Sequence, residues 1–493
     1  MADLYSTWTS LVARAIGLFA PGAARNFIYR RQALRSYLAA QTKGPNQLWR
    51  PKNKSADAHL LKDNKLILAR SRDLVRNSTH IGGALRKIVN NVVFTGIKPQ
   101  AQLKTKEGKL KKKQNRLVEE HWKMWAESKE IQFYDLQELA LRHLWQDGEF
   151  LLHYFFDKTL LDKGIVPLGV EFLECDHLDE SIHGELANGN IAKRGIEFDR
   201  LGRPVAYWLF ETHPGDDFGW KNSKMLAWQR SERIPAEEIE HVFVRERASQ
   251  TRGVSWLATV IMEMKDFDEY QTSERIAARL AAAFGIFVET PFPEHFDPGV
   301  SPLGGESPEN KEDLPDYIDP GRIQYLPPGC KISVASHNRP GQSYEPFTKI
   351  SLKGASTGMG MSYEAFSNDY TDASYSSARS AALEERRGYI KQQTILNRKF
   401  NNPVWKKWAQ YLYLSGLAPG IPMEIPVNWQ APGWPWVDPL KDSKAAETEL
   451  RLGITTRRKL AADRGMDWDE IVEQLAREQE ILREKNLEGR DDR

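Results

Sequence analysis

Along the first hundred residues, Leu66, Leu68, Leu74, Val75, Ile81, Leu85, Ile88 and Val89 recur at near-helical spacing. That period predicts a helix from about Leu60 to Val93. Two shorter helical patterns follow, one near 116–130 with Trp122 and Trp125 and one near 136–146. The period then drops toward two. "GEFLLHYFF", "VPLGVEFLEC" and "RPVAYWLF" read as strands, and "DRLGRP" reads as a hairpin turn joining "GIEF" to "VAYWLF". A long helical pattern returns between Ser255 and Phe284, with Leu257, Ile261, Met264, Phe267, Tyr270, Ile276 and Leu280 on its apolar side. At 1.5 Å per residue it should reach roughly 40 Å, with Ser255 placed as its N-cap.

Directly afterwards the texture changes. "PFPEHFDPGVSPLGGESPENKEDLPDYIDPG" is rich in proline and acid and has no helical period. Two short runs, "RIQYLPP" and "CKISVAS", read as strands closing this insert. Helix is predicted again over about 346–358, followed by the polar-aromatic loop "MSYEAFSNDYTDASYS". Further helices are expected from Ser377 to Asn401, from Pro403 to Leu414, after the Trp/Pro knot "APGWPWVDP", and from Trp468 to Leu487. Strand and helix segments together give a mixed α+β chain, mostly helical, with no tandem repeats.

The 493 residues suffice for two to four domains and a large core. The 69 basic and 67 acidic residues nearly cancel, so the distribution of charge says more than its sum. Basic residues gather in "KPQAQLKTKEGKLKKKQNR", which reads either as a solvated, mobile excursion or as a contact for nucleic acid or an acidic partner. Two cysteines, Cys175 and Cys330, cannot build a disulfide framework, and a reducing compartment is expected. The opening segment has a short apolar run interrupted by Arg14, and no stretch is long enough to span a bilayer, so a soluble intracellular protein without a membrane partner is expected. Fifteen tryptophans suit large amphipathic contacts.

Enzymatic chemistry finds little support in the residues. "CDHLDESIHGE" places Cys175, Asp176, His177, Asp179 and His183 close together, but without a paired CxxC or HExxH spacing. Polar residues at a strand end account for them. A metal-dependent nucleic-acid-processing enzyme using Asp176, His177, Asp179 and His183 is the alternative function. No GxxxxGK[ST] loop is present, and "RGVSWLA" lacks the second glycine of a nucleophile elbow. In "QDGEF", Asp147 and Glu149 read as a turn entering a strand. No catalytic residue, metal or cofactor is expected.

Several phrases in order resemble the lambda-type portal proteins of tailed bacteriophages. They are "PGAARNFIYRRQALRSYLAA", "ARSRDLVRNSTHIGGALRKIVNNVVFTGIKPQ", "GIEFDRLGRPVAYWLF", "VFVRERASQTRGVSWLATVIMEMKDFDEYQTSERIAARLAAAFGIFV", "NDYTDASYSSARSAALEERRGY" and "GWPWVDPLKDSKAAETELRLGITTRRKLAADRGMDW". The resemblance implies a portal fold with wing, stem, clip and crown regions. It implies a ring of about twelve subunits at one capsid vertex. The ring would be the channel for DNA packaging and ejection, and would dock the terminase large subunit, head-completion or tail adaptor proteins, and a major capsid or scaffold protein. The expected location is the virion, with host cytoplasm during assembly.

Laid on this chain, the resemblance places an N-terminal arm and α+β wing at 1–253, a stem helix at 254–286 and a clip at 287–341. The returning stem helix falls at 342–360, a tunnel loop at 361–376, channel and wing helices at 377–433, and the crown and tail at 434–493. Tyr363, Asn368, Tyr370, Ser374 and Tyr375 would then form a compliant collar around sequence-independent duplex DNA, with Lys349 and Lys353 as weak guides for phosphate. Glu294, Asp297, Glu306, Glu309, Asp316 and Asp319, with Glu312 and Asp313, would form an acidic ring facing a basic partner.

Overall fold

The computed structural model describes residues 50–216, 231–283, 343–435 and 438–485, the strand residues 287–289 and 324–326, and a few isolated positions. The chain divides into two compact units, Met1–His59 and Leu60–Arg493. Apart from the first residues of helix α1, every element below belongs to the second.

The predicted helix from Leu60 to Val93 is two helices, α1 (Ala56–Asn77) and α2 (Thr79–Val92). Ser78 breaks them with an extended backbone, φ −83° and ψ 122°. The Ser78 side chain makes no capping hydrogen bond, so the break is one of backbone conformation, which a smooth apolar period does not reveal. The basic stretch after α2 is not loop throughout. It contains strand β1 (Lys98–Ala101), a turn closed by the Thr105 N–H on the Lys109 carbonyl, and the start of helix α3 (Lys112–Ala126). β1 pairs antiparallel with a strand more than three hundred positions away, here β12 (Val427–Gln430).

Helix α4 (Phe133–Gln146) runs into β2 (Glu149–Phe156); helix α5 (Lys158–Asp162) and β3 (Leu168–Leu173) follow. Five short strands come next: β4 (Gly184–Glu185), β5 (Ile191–Lys193), β6 (Ile196–Phe198), β7 (Pro204–Leu209) and β8 (Glu232–Pro235). They form one antiparallel sheet in chain order, and β6–β7 is the predicted hairpin. Strand β9 (Ile239–Phe243) returns to β2, giving a three-stranded sheet in the order β3-β2-β9. Alternation along β2 sorts its side chains into two cores. Phe150, Leu152 and Tyr154 join the helical core, while Leu151 joins a smaller one with Ile196, Tyr207 and Leu209 of the five-stranded sheet. The helical core centres on Trp122, whose ring lies 4.9–5.9 Å from those of Trp125, Trp405, Trp408 and Trp429.

The long predicted helix begins later than expected. Ser255 accepts from the Leu257 N–H at 3.2 Å but is not the helix N-cap, since residues 256–260 form turns before helix α6 (Ile261–Ala283) starts. Strand β10 (Phe287–Glu289) pairs in parallel with β11 (Gln324–Leu326). The rest of the acidic insert and "CKISVAS" lie outside the described residues. Helix α7 (Tyr344–Gly358) runs antiparallel to α6. Tyr270 meets Tyr344 and Phe347 at ring separations of 5.9 and 4.6 Å. At the other end, a Cβ on Gly354 would lie 2.2 Å from Glu263 Oε1, so the helices touch where a side chain is missing.

The remaining helices are α8 (Tyr363–Ser367), α9 (Tyr375–Leu396), α10 (Asn402–Ser415), α11 (Pro439–Arg451), α12 (Arg457–Ala462) and α13 (Trp468–Glu484). A π-turn at Asn397–Asn401 joins α9 to α10, so the two helices predicted there are continuous through Pro403, which sits in the first turn of α10.

Candidate functional site

The loop at 361–376 starts where α7 ends. Its first part is anchored. Met361 and Phe366 are buried, and His80 of α2 lies 6.0 Å from Phe366 and 5.6 Å from Phe267 of α6, ring to ring. Burial pushes the His80 imidazole below its usual pKa, so this spacer is neutral near pH 7. Lys87, also on α2, donates to the Ala365 carbonyl and to Asn368 Oδ1. Asn368 adopts a left-handed backbone (φ 61°) that closes α8, a conformation asparagine tolerates better than most residues.

The second part of the loop is open. Tyr370 and Tyr375 are 57% and 59% exposed. Asp369 organises the bend, accepting from the Thr371 hydroxyl at 2.6 Å and from the Tyr363 hydroxyl at 2.9 Å. These bonds, with one from the Thr371 N–H, hold its carboxyl at about 2. Ser374 caps α9 by accepting from the Ser377 N–H at 3.2 Å. The Tyr375 hydroxyl donates to Asp438 Oδ2 at 3.4 Å.

The two lysines proposed as phosphate guides are already engaged. Lys349 Nζ sits 3.0 Å from both Glu345 Oε1 and Asp372 Oδ2, which raises its pKa. Lys353 Nζ lies 5.4 Å above the Tyr363 ring. The loop therefore offers hydroxyls, amides and aromatic rings, with Lys349 matched by acids, Lys353 by a ring face and Lys87 by amide oxygens. The six clip carboxylates, Glu294, Asp297, Glu306, Glu309, Asp316 and Asp319, lie outside the described residues.

The alternative metal cluster does not assemble. Asp176 accepts from Arg72, whereas Asp179 accepts from Ser181 and from Ser231, and His183 is exposed. His177 Nδ1 lies against the Glu174 carbonyl at 3.2 Å. Among the described residues, Glu174, Asp176 and His213 bring possible ligand atoms within 4.8 Å of one another. Arg72 occupies that place: its Nη2 is 3.1 Å from Glu174 Oε2 and 2.6 Å from Asp176 Oδ2. A guanidinium supplies the positive charge that these carboxylates need, and a metal ion there would have to displace it.

Asp147 and Glu149 are more than a turn entering a strand. Both are fully buried at the α4–β2 junction. Arg72 holds Asp147 through two hydrogen bonds of 2.8 and 3.0 Å, to Oδ1 and Oδ2, and His143 Nδ1 lies 2.7 Å from Oδ2. Arg252, 1% exposed, bonds Glu149 Oε1 at 2.7 Å; the Gly253 N–H and His241 Nε2 bond Oε2 at 2.5 and 2.9 Å. Burial alone would raise the Glu149 pKa, but Arg252 and His241 overcome it and hold the carboxyl at about 2. Gly148 makes the crossing possible. Its φ is +83°, and a Cβ there would lie 2.1 Å from the Val254 carbonyl carbon. The sequence signal was a glycine between two acids at a helix–strand boundary, but the arginine partners are 75 and 103 positions away.

The chain is 27% identical over 468 residues to the probable portal protein of Halomonas phage phiHAP-1, covering 92% of this chain and 87% of that one. It is 22% identical over 471 residues to portal protein B of Escherichia phage lambda, covering 88% and 87%. Among solved structures, a chain from the neck of a native gene transfer agent particle computed with C12 symmetry aligns over 82% of this chain and 94% of that one, with 12% identity and a TM-score of 0.38. The model for phage portal proteins of the lambda family matches residues 42–393, well over half of the sequence, and the chain belongs to that family.

Proposed function

We propose that copies of this chain, about twelve, close into a ring at one capsid vertex and pass duplex DNA through the axial channel during packaging and ejection. In this reading α6 and α7 are the paired stem helices, 287–341 is the clip between them, 361–376 is the tunnel loop facing the axis, and the helices after 434 are the crown. The ring also docks the terminase large subunit, head-completion or tail adaptor proteins, and a capsid or scaffold protein; the acidic insert is the surface for a basic partner. Assembly runs in host cytoplasm and ends in the virion. Among the described residues no helix is long and apolar enough to cross a membrane.

The observation that carries the reading is the paired state of the lysines beside the loop. Free cations repeated around a ring would bind the polyanion tightly through counterion release. A collar of hydroxyls and tyrosines contacts phosphate without specifying sequence and lets it go. Asp372→Lys combined with Tyr370→Lys should slow packaging of DNA into proheads and make it strongly salt-dependent. A packaging rate indistinguishable from wild type at low salt would remove the collar from the mechanism. End-on electron microscopy images without a central hole would remove the channel.

A further inference from the structure

Among the described residues β9 is an edge strand, hydrogen-bonded in its sheet to β2 alone. Beside it runs the π-turn at Asn397–Asn401. Wide turns of this kind frequently accompany functional sites. Between β9, the segment that leaves it and the π-turn opens a cavity of about 860 Å³, a size typical of ligand-holding clefts. Its lining has two parts. Ile239, Phe243 and Tyr207 form an apolar floor, and Arg245, Arg398 and Lys399 supply positive charge.

These three cations differ from the others described above. Arg72, Arg252 and Lys349 each grip carboxylates at 2.6–3.1 Å. Among the described residues no ion pair within 4.0 Å involves Arg245, Arg398 or Lys399. Arg245 rests 5.6 Å from the Phe243 ring centroid. Glu240 lines the same cavity, but burial pushes its carboxyl up to about 7 against the pull of Lys399 and Lys407. Near neutrality about half of it is protonated, so it cancels little of the local charge.

We propose that this cavity binds an acidic, extended segment of a partner protein, seating an apolar side chain on the floor and flanking carboxylates on Arg245, Arg398 and Lys399. The lining favours this occupant over nucleic acid. Single strands are held by bases stacked on open aromatic faces, whereas Tyr207 and Phe243 are at most 9% exposed. Duplex DNA is a convex rod whose phosphates need a groove or ridge rather than a pocket with an apolar base. The inference concerns a single subunit and stands apart from the ring reading.

The probe is a short fluorescein-labelled peptide alternating glutamate with leucine, titrated against the full-length assembled protein by fluorescence anisotropy. The control peptide carries glutamine in place of glutamate. Arg398→Glu with Lys399→Glu, and separately Arg245→Glu, should each weaken binding about tenfold or more, while particle mass by light scattering stays at the wild-type value. Arg245→Gln, on a different element, keeps the test decisive if reversal at 398–399 disturbs the π-turn. Binding no better than the glutamine control overturns the proposal, as does binding indifferent to all of these changes. A labelled single-stranded oligonucleotide that binds in place of the peptide, with the same dependence on Arg398 and Lys399, overturns the choice of partner.

Discussion

Two regions of this subunit concentrate polar side chains, and they handle them in opposite ways. At the α4–β2 junction, Glu149 and Asp147 are sealed from water, and their hydrogen-bonding partners come from three other parts of the chain. In the loop at 361–376, the bend is bonded mostly from close by: Asp369 bonds Thr371 and Tyr363, and Ser374 bonds Ser377, while Asp372 and Tyr375 reach out to Lys349 and Asp438. The first arrangement fixes where backbone segments cross. The second leaves rings and hydroxyls exposed on a bend whose base is pinned by Lys87 and His80. Long-range charge pairing closes the buried junction, and mostly short-range bonding shapes the exposed bend.

The contrast can be broken most severely at the junction. Arg252→Met strips Glu149 of its main counter-charge and should cost about 3–5 kcal/mol, read as a fall in the urea midpoint, because a buried carboxylate is left with only His241 and the Gly253 N–H. A loss below about 1 kcal/mol would show that the network is not structural.

Acid probes the same place more gently. The Glu149 carboxyl stands at about 2 when folded, below its ordinary 4.5. Its contribution, about 3 kcal/mol, is therefore complete above pH 4.5 and lost as pH falls toward 2. Glu240, at about 7, has the opposite sign: its contribution is complete below pH 4.5 and lost as pH rises through 7. Glu149→Gln should flatten the acid limb of a stability–pH curve, and Glu240→Gln the neutral limb. Identical curves in either pair would reject that assignment.

The loop should be the quiet partner. Ser374→Ala removes the cap of α9 and should cost about 1 kcal/mol. Tyr370→Ser should change stability by less than about 0.5 kcal/mol, since its ring is mostly in solvent. Thermal melts of the two variants side by side test this ranking, and a Tyr370 effect larger than that of Ser374 would reverse it.

Local patterns carried far in this chain. The α6–α7 pair around an acidic insert and the β6–β7 hairpin were legible, because a helical or alternating period and a turn residue act over a few positions. The same period misled at Ser78, where an extended backbone breaks a helix that apolar spacing alone would continue. It also could not show that the basic stretch after α2 contains a strand, since β1 pairs only with β12.

What the sequence determined by itself is the order of the elements, the polar-aromatic character of the loop and, through phrases spread along the chain, the family. What tertiary structure alone decided is which charges are taken. Lys349 is matched by Asp372 across the loop, Arg252 by Glu149 from 103 positions away, and Arg398 and Lys399 by no ion pair among the described residues. The physical reason is range. Backbone preference is set by neighbours in sequence, whereas an ion pair needs two side chains brought within a few ångströms by the packing of everything between them.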